Sequence, residues 1–439
     1  MTEKTSKQKI CVLGTGMAGW GAAHHLRMAG ETPILFDKKK HYGGHTASFL
    51  REDKFTFDEG PHVSFTSHER LQKLFAEAID EKFETLHTKV NNYWRGHWVK
   101  HPAQINLYGL PPQTIIDVIR DFVEAQNKQH GEIVNYEQWL RASFGHTFAE
   151  QFPMDYTIKY HTTEAKNMSL DWIGPRLYQC KLEEVLRGAL LPATADVHYI
   201  SGFRYPSHGG FVSYLRGFMD SADVRLEHML QSIDPKAKTV GFKNGESVAY
   251  DGLVSSVPLP DLIPTIVGAP REVREAAARL SCSEVVIVNL VVDRRDLIDA
   301  HWTYIYDRDV FFTRVSTPHL QSPHNVPPGC GSLQAECYYS KKYRPLDRTP
   351  DACIEPTIRD LRRIGILREG DKVLYQETMH IDYANVIFDL ERADALAIVH
   401  GYLDELGIAY CGRYGDWKYI WTDESFMSGE AAAEKILGR

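Results

Sequence analysis

This chain of 439 residues has little of several things that common functions require. Its cysteines are few and scattered (Cys11, Cys180, Cys282, Cys330, Cys337, Cys353 and Cys411), odd in number and without a C-x-x-C pair, which excludes a zinc ribbon and a disulfide framework. It has no run of 18 apolar residues, so no membrane-spanning helix is expected. Basic charge is in deficit: 50 Lys and Arg stand against 58 Asp and Glu, net −8, and neither nucleic acid nor an anionic membrane rewards that balance. Internal repeats and low-complexity tracts are lacking too. The start "MTEKTSKQKICVLG" joins a basic stretch to apolar residues as a secretory leader does, but glycines interrupt the apolar run at once. No leader is expected, and the location expected is cytoplasmic.

What is present is an ordinary globular composition, 43% apolar and 25% charged, on a chain long enough for two or three domains. The stretch "KICVLGTGMAGWGAAHHLRMAGETPILFD" carries the first chemistry. "KICVLG" reads as a buried strand, 17–29 as a helix and "PILFD" as a second strand ending in an acid. In that frame Gly14 permits a tight turn, Gly16 leaves bare backbone for a pyrophosphate, and Gly19 lets helix and strand pack closely. Met17 and Ala18 then offer amides at the helix N-terminus. Asp37 lies 23 residues after the first glycine, where a carboxylate accepts hydrogen bonds from an adenosine ribose, with Lys38 beside it. The order of these pieces predicts a dinucleotide site. "HYGGHTASF" adds Gly43, Gly44 and His45, and "FDEGPHVSF" adds Gly60, Pro61 and His62.

Further along, Thr66 and Glu69 have capping-box spacing ahead of an apolar helical stripe, and a second amphipathic helix is expected over about 114–126. Residues 137–200 read as mostly helical. "TVGFKNGESVAYDGLVSSVP" reads as two strands around an Asn244-Gly245 turn and a third ending at Pro258; 283–293 and 302–307 read as strands, and a last helix runs from near Asp423 to Leu437. The expected fold is α/β: a discontinuous Rossmann-type domain from 1–65, 202–262 and 402–439, with a mainly helical lobe at 66–201 and a sheet-containing lobe at 263–401.

The string Gly14 to Gly30, the acid and then Gly-Gly resemble the FAD sites of the flavoprotein group that contains amine oxidases, protoporphyrinogen oxidases and UDP-galactopyranose mutases. The resemblance implies FAD rather than NAD. Within that group the chain looks most like the mutase type. "EGPHVSF" is similar to the mutase segment that places a histidine, here His62, under the flavin. "HPAQINLYGLPP" offers Asn106, and "MDYTIKYHT" offers Tyr156 and Lys159. "VFFTRVS" puts Arg314 at a mutase Thr-Arg pair, and "CGRYGDWKYIWTDESFMSG" resembles the C-terminal block, with Gly412 and Arg413 beside the flavin, Tyr419 toward substrate phosphates and Asp423 before the final helix. The chain departs from the mutase pattern at His161, where a tryptophan stands, and at Ile420-Trp421, where an aromatic-acid pair stands.

The resemblance thus implies a small, anionic nucleotide-sugar substrate and a reaction in which reduced flavin N5 is the nucleophile. It leaves His62, Arg314, Arg413 and Tyr419 as candidate catalytic groups, and Asn106, Tyr156, Lys159, Arg176, Arg204 and Tyr383 as candidate substrate contacts. Guanidinium forks suit diphosphate oxygens better than ammonium groups do. No acid–base dyad stands out, and cofactor-based covalent chemistry requires none. No metal site is expected, and a homodimer is a candidate assembly. Two other readings stay open: an FAD oxidase or dehydrogenase of the amine or porphyrinogen type, and a flavin-binding protein without catalysis.

Overall fold

The computed structural model describes residues 8–174, 177–192 and 194–438. A five-stranded parallel sheet forms one centre. Its order is Ile408–Tyr410, Gly252–Ser255, Ile10–Leu13, Ile34–Phe36, Asp223–Arg225, so chain segments far apart in sequence lie side by side. "ICVL" is buried along its whole length, as a parallel strand covered on both faces must be. The helix Met17–Met28 covers one face and packs on the C-terminal helix Thr422–Ile436. Small residues permit that contact: a Cβ on Gly21 would lie 2.0 Å from the Phe426 carbonyl oxygen, and one on Gly429 would lie 1.9 Å from that of Ala18. A three-stranded antiparallel sheet, Leu230–Asp234, Thr239–Phe242 and Ser247–Ala249, includes the hairpin expected around Asn244-Gly245.

The second centre is a seven-stranded sheet of order Val373–Val386, Cys282–Val292, Gly331–Ser340, Arg314–Ser316, Trp302–Ile305, Val90–Trp94, His97–Lys100. It is antiparallel except where Trp302–Ile305 runs parallel to Val90–Trp94. Two features of the segment 66–201 differ from expectation. The segment 66–201 is helical at Pro112–Asn127, Tyr136–Phe144 and Leu182–Leu190, but it also holds strands Phe83–His87, Val90–Trp94 and His97–Lys100. The last two join through Arg95 and Gly96, both at positive φ, which is the geometry of a two-residue hairpin turn. The capping box at Thr66 does not form: the helix Glu69–Glu77 starts after His68, and the Thr66 hydroxyl accepts from the His68 amide at 3.2 Å. Ladder pairing between Cys282–Val292 and Val373–Val386 jumps from Ser283↔Asn385 to Val285↔Ile381, a bulge that re-aims residues 382–384. No helix among the described residues is long and apolar enough to cross a membrane.

Candidate active site

One cavity of about 1090 Å³ runs from the first parallel strand to the face of the large sheet. Its first half is made largely of backbone. Leu13, Gly14, Thr15, Gly16, Met17 and Ala18 line it where the first strand turns into the first helix, and Gly43, Gly44 and His45 close it from the opposite side. Gly19 does not face the cavity; its bare Cα lets the helix press on the turn, where a Cβ would sit 2.0 Å from the Gly14 carbonyl oxygen. Gly43 and Gly44 have φ of +108° and +55°, and a Cβ on Gly44 would sit 2.9 Å from the Gly16 Cα. Asp37 and Lys38 line the cavity. The Asp37 carboxylate is fixed by the Thr15 amide (2.9 Å), the Thr15 hydroxyl (2.6 Å) and the Lys39 amide (2.9 Å).

Glu59 ties this half together. It accepts from Lys39 Nζ at 2.7 Å and lies 3.0 Å from His45 Nδ1. Burial pushes its carboxyl up, but His45 and Lys39 outweigh that and hold it at about 2. Glu59, Lys39 and Thr15 carry no motif signal, and the sequence reading did not select them. Gly60, Pro61 and His62 follow on the wall. His62 Nδ1 lies 2.8 Å from the Gly60 carbonyl, which makes that nitrogen the donor and leaves Nε2 as an acceptor. Burial first, and then the Arg413 charge, lower the ring to about 4, so His62 is neutral at pH 7.

The other half is made of side chains. Arg314 and Arg413 both line it, amid Tyr156, Tyr160, Tyr304, Tyr338 and Tyr419. Arg314 forms a two-pronged pair with buried Glu336, Nε to Oε2 and Nη2 to Oε1, the latter at 2.7 Å. Burial disfavours its charge, but the Glu336 carboxylate outweighs that and holds it well above its ordinary value. Arg413 is held differently. It donates to the carbonyls of Ile420 (3.2 and 2.8 Å) and Ala384 (3.3 Å) and to Asn385 Oδ1 (3.3 Å), with its guanidinium 5.1 Å from the Tyr419 ring centre. Ala384 and Asn385 reach it because of the bulge, whose carbonyls at 383 and 384 also accept from the Tyr414 hydroxyl at 2.7 and 2.9 Å. The hydroxyls of Tyr160 and Tyr419 are 3.1 Å apart. Tyr383 donates to Asp261 at 2.8 Å, and both line the cavity.

Several expected residues lie elsewhere. On the helix Asp155–Tyr160, residues 156, 157 and 160 face the cavity, so Lys159 points the other way; its amine donates to the Asp307 carbonyl at 2.7 Å, and burial lowers it to about 7. Asn106 braces its own loop, donating to the Pro102 carbonyl at 2.8 Å and accepting from the Thr194 hydroxyl at 2.5 Å. Arg204 sits on the strand Gly202–Pro206 with its guanidinium 4.6 Å from the Phe83 ring centre, beside a separate small pocket. Asp423 is in the first turn of the last helix, whose Thr422 and Ser425 face the cavity in its place. Arg176 lies outside the described residues.

A Rossmann-type sheet with a backbone cradle at one end of a long cavity defines a dinucleotide-binding protein. The cradle fits such a cofactor: the two glycine turns pack on each other, with the Gly43 amide donating to the Thr15 carbonyl at 2.9 Å, and a Cβ at Gly44 would force them apart. The chain belongs to the family of flavin-containing amine oxidoreductases, whose model matches residues 17–437. FAD is the family's cofactor and the cofactor of this chain. It is similar to the structure of reduced UDP-galactopyranose mutase, with 26% identity, a TM-score of 0.93, and 98% of this chain and 96% of that one covered. Putrescine oxidase bound to putrescine shares the fold at 15% identity and a TM-score of 0.67, over 99% and 100% of the two chains. The 15-cis-phytoene desaturase of Synechococcus elongatus is 29% identical over 107 residues, which is 22% of this chain and 23% of the desaturase. The chain thus matches less than a quarter of that relative's length.

Proposed function

We propose that this enzyme is a mutase of nucleotide sugars, interconverting ring forms of a sugar carried on a nucleoside diphosphate. The observation that carries the reading is that Arg314 and Arg413 both line the cavity, among tyrosine hydroxyls, in company with the glycines of the cofactor cradle. A diphosphate carries about two negative charges, and guanidinium groups match its oxygens in pairs. Among the described residues Arg413 donates to uncharged oxygens of Ile420, Ala384 and Asn385, so its charge is left to meet an anion. Arg314 is offset by Glu336, which fixes its fork and leaves Nη1 outside the pair. The likeness to the mutase over nearly the whole chain supports the same reading.

When bound and reduced, FAD supplies a nucleophilic N5. The chain's part is to bind and orient. Arg413 and Arg314 hold the diphosphate as it leaves and until it returns, and Tyr419 and Tyr160 donate to its oxygens. His62, neutral and with Nε2 open as an acceptor, orients a sugar hydroxyl beside the ring. Incubation of dithionite-reduced enzyme with UDP-hexopyranoses tests the reading. Ring contraction without net use of reductant is expected, and a panel returned unchanged would overturn it. The aromatic wall of Tyr156, Tyr304 and Tyr306 favours a second reading, oxidation of an amine or porphyrinogen. Oxygen uptake with such a substrate, without prior reduction, would put that reading in its place.

A further inference from the structure

Arg204 takes no part in the proposed reaction and lines a second cavity, of about 190 Å³. The strand Gly202–Pro206 pairs with Phe83–His87 in a register that sets Arg204 opposite Thr85, so Arg204, Thr85 and Phe83 share one face. The helix Glu69–Glu77 contributes Phe75 and Ala76 to the same cavity. Arg204 is half-buried. Among the described residues its side chain has neither a hydrogen-bond partner nor a carboxylate within ion-pair range. The guanidinium rests on the Phe83 ring, 4.6 Å from its centre, and its nitrogens keep accessible surface.

Polar neighbours are already engaged with one another. Gln72 donates its amide to the Thr66 carbonyl at 2.6 Å, and the Thr66 hydroxyl accepts from the His68 amide at 3.2 Å. One cation is therefore left facing a space walled by Phe75, Phe83 and Phe203. A partly buried charge is screened less than an exposed one, so an anion that reaches it is held the more firmly. The apolar wall fixes what that anion carries. A dry apolar cavity of about 150 Å³ takes a benzene ring, so this larger one has room for a ring and a small acid group together. A guanidinium fork meets a carboxylate through two parallel hydrogen bonds.

We infer that this cavity is a second ligand site of the enzyme, taking a small aromatic carboxylate, with the acid on Arg204 and the ring among the three phenylalanines. The small side chain of Ala76 leaves the ring its room. The site stands apart from the two arginines of the main cavity, and it holds whichever reaction that cavity runs. Phe65 lines both cavities, so a test must tell them apart.

Binding of benzoate, phenylacetate and 4-hydroxybenzoate to the oxidised holoenzyme is measured by calorimetry, with benzamide as the uncharged control. The native enzyme is expected to take at least one of the acids with a Kd at or below about 1 mM. Benzamide should bind at least about 10-fold more weakly than benzoate, since it cannot meet the charge. Arg204→Met keeps a stem over Phe83 and removes the fork. It is expected to weaken acid binding at least about 10-fold while the flavin absorbance stays unchanged. Ala76→Leu fills the ring's place on a helix that accepts leucine readily, should abolish acid binding, and serves if the first variant does not fold. A native enzyme that takes none of the three acids overturns the inference. So does an affinity that both variants leave unchanged, which would put the acid at Arg314 and Arg413 instead.

Discussion

The two halves of the cavity are made of different material. At the cofactor end the surface is main chain: glycines at 14, 16, 43 and 44, the amides of the first helix, and a carboxylate locked by its neighbours. Its buried Glu59 is answered within the chain, by Lys39 and His45. At the substrate end the surface is side chain: tyrosines, Arg314, Arg413 and His161, delivered by separated segments. Here Arg413 is held by the carbonyls of Ile420 and Ala384, the Asn385 side-chain oxygen and the Tyr419 ring, and His161 Nδ1 and the Tyr156 hydroxyl are enclosed without a hydrogen-bond partner. A cradle made of backbone specifies one cofactor by shape, whereas a wall of side chains can exchange its specificity one residue at a time.

The largest expected effect lies at a charge in the substrate half that the chain does answer. Arg314→Ala leaves Glu336, which is 2% exposed, as a buried charge without its partner. A loss of about 3–5 kcal/mol in unfolding free energy is expected, measured by urea denaturation. The double change Arg314→Met, Glu336→Leu should recover most of it, since two apolar groups of similar size remove both desolvation costs. Equal destabilisation of the single and double variants would show that packing, not charge pairing, holds this wall.

In the cofactor half the corresponding break is steric. Gly19→Val places a Cβ where the Gly14 carbonyl oxygen lies 2.0 Å away, and the helix must back off its strand. Overpacking of this kind costs about 1–3 kcal/mol. The more telling readout is colour: the turn that holds the diphosphate is displaced, so the purified variant is expected to lack the visible flavin absorbance. A yellow variant with an unchanged melting temperature would show that the glycine is not what closes the turn.

The same contrast explains what was legible in the sequence. Gly14, Gly16, Gly43, Gly44 and Asp37 sit in short strings whose spacing alone implies their placement, and they meet in space. Arg314, Arg413 and Tyr419 were found only through resemblance, because their neighbours lie on other segments. Lys159 illustrates the limit: it shares a string with Tyr156, yet helical geometry sends adjacent positions to opposite sides. Arg204 misled for the same reason on a strand. Glu336, the partner that fixes Arg314, lies in "SLQAECYYS", a strand that periodicity did not single out. The hairpin through Arg95-Gly96 was missed because no Asn-Gly or Asp-Gly pair marks it.

The smallest expected effect separates the halves by acid. In both, histidines are kept neutral by burial: His62 at about 4 and His161 at about 3, against an ordinary value near 6.5. A folded-state value below the unfolded one means that the unfolded chain binds more protons, so stability is fully present above pH 6.5 and falls as the pH drops toward 4. Each such histidine removes about 1 kcal/mol at pH 5.5. Asp58 works the other way. Burial raises it to about 6, so it takes up a proton in the folded state and returns part of the loss below that pH. Glu59, at about 2, keeps its charge throughout and contributes nothing in this window. The gap in unfolding free energy between pH 7.0 and 5.5 should therefore shrink by about 1 kcal/mol in His161→Phe. In Asp58→Asn the same gap should widen, by about 1 kcal/mol or less. A gap that both variants leave unchanged would mean that neither group is held in the protonation state its burial dictates, and that the contrast between the charged and uncharged parts of the cavity is wrong.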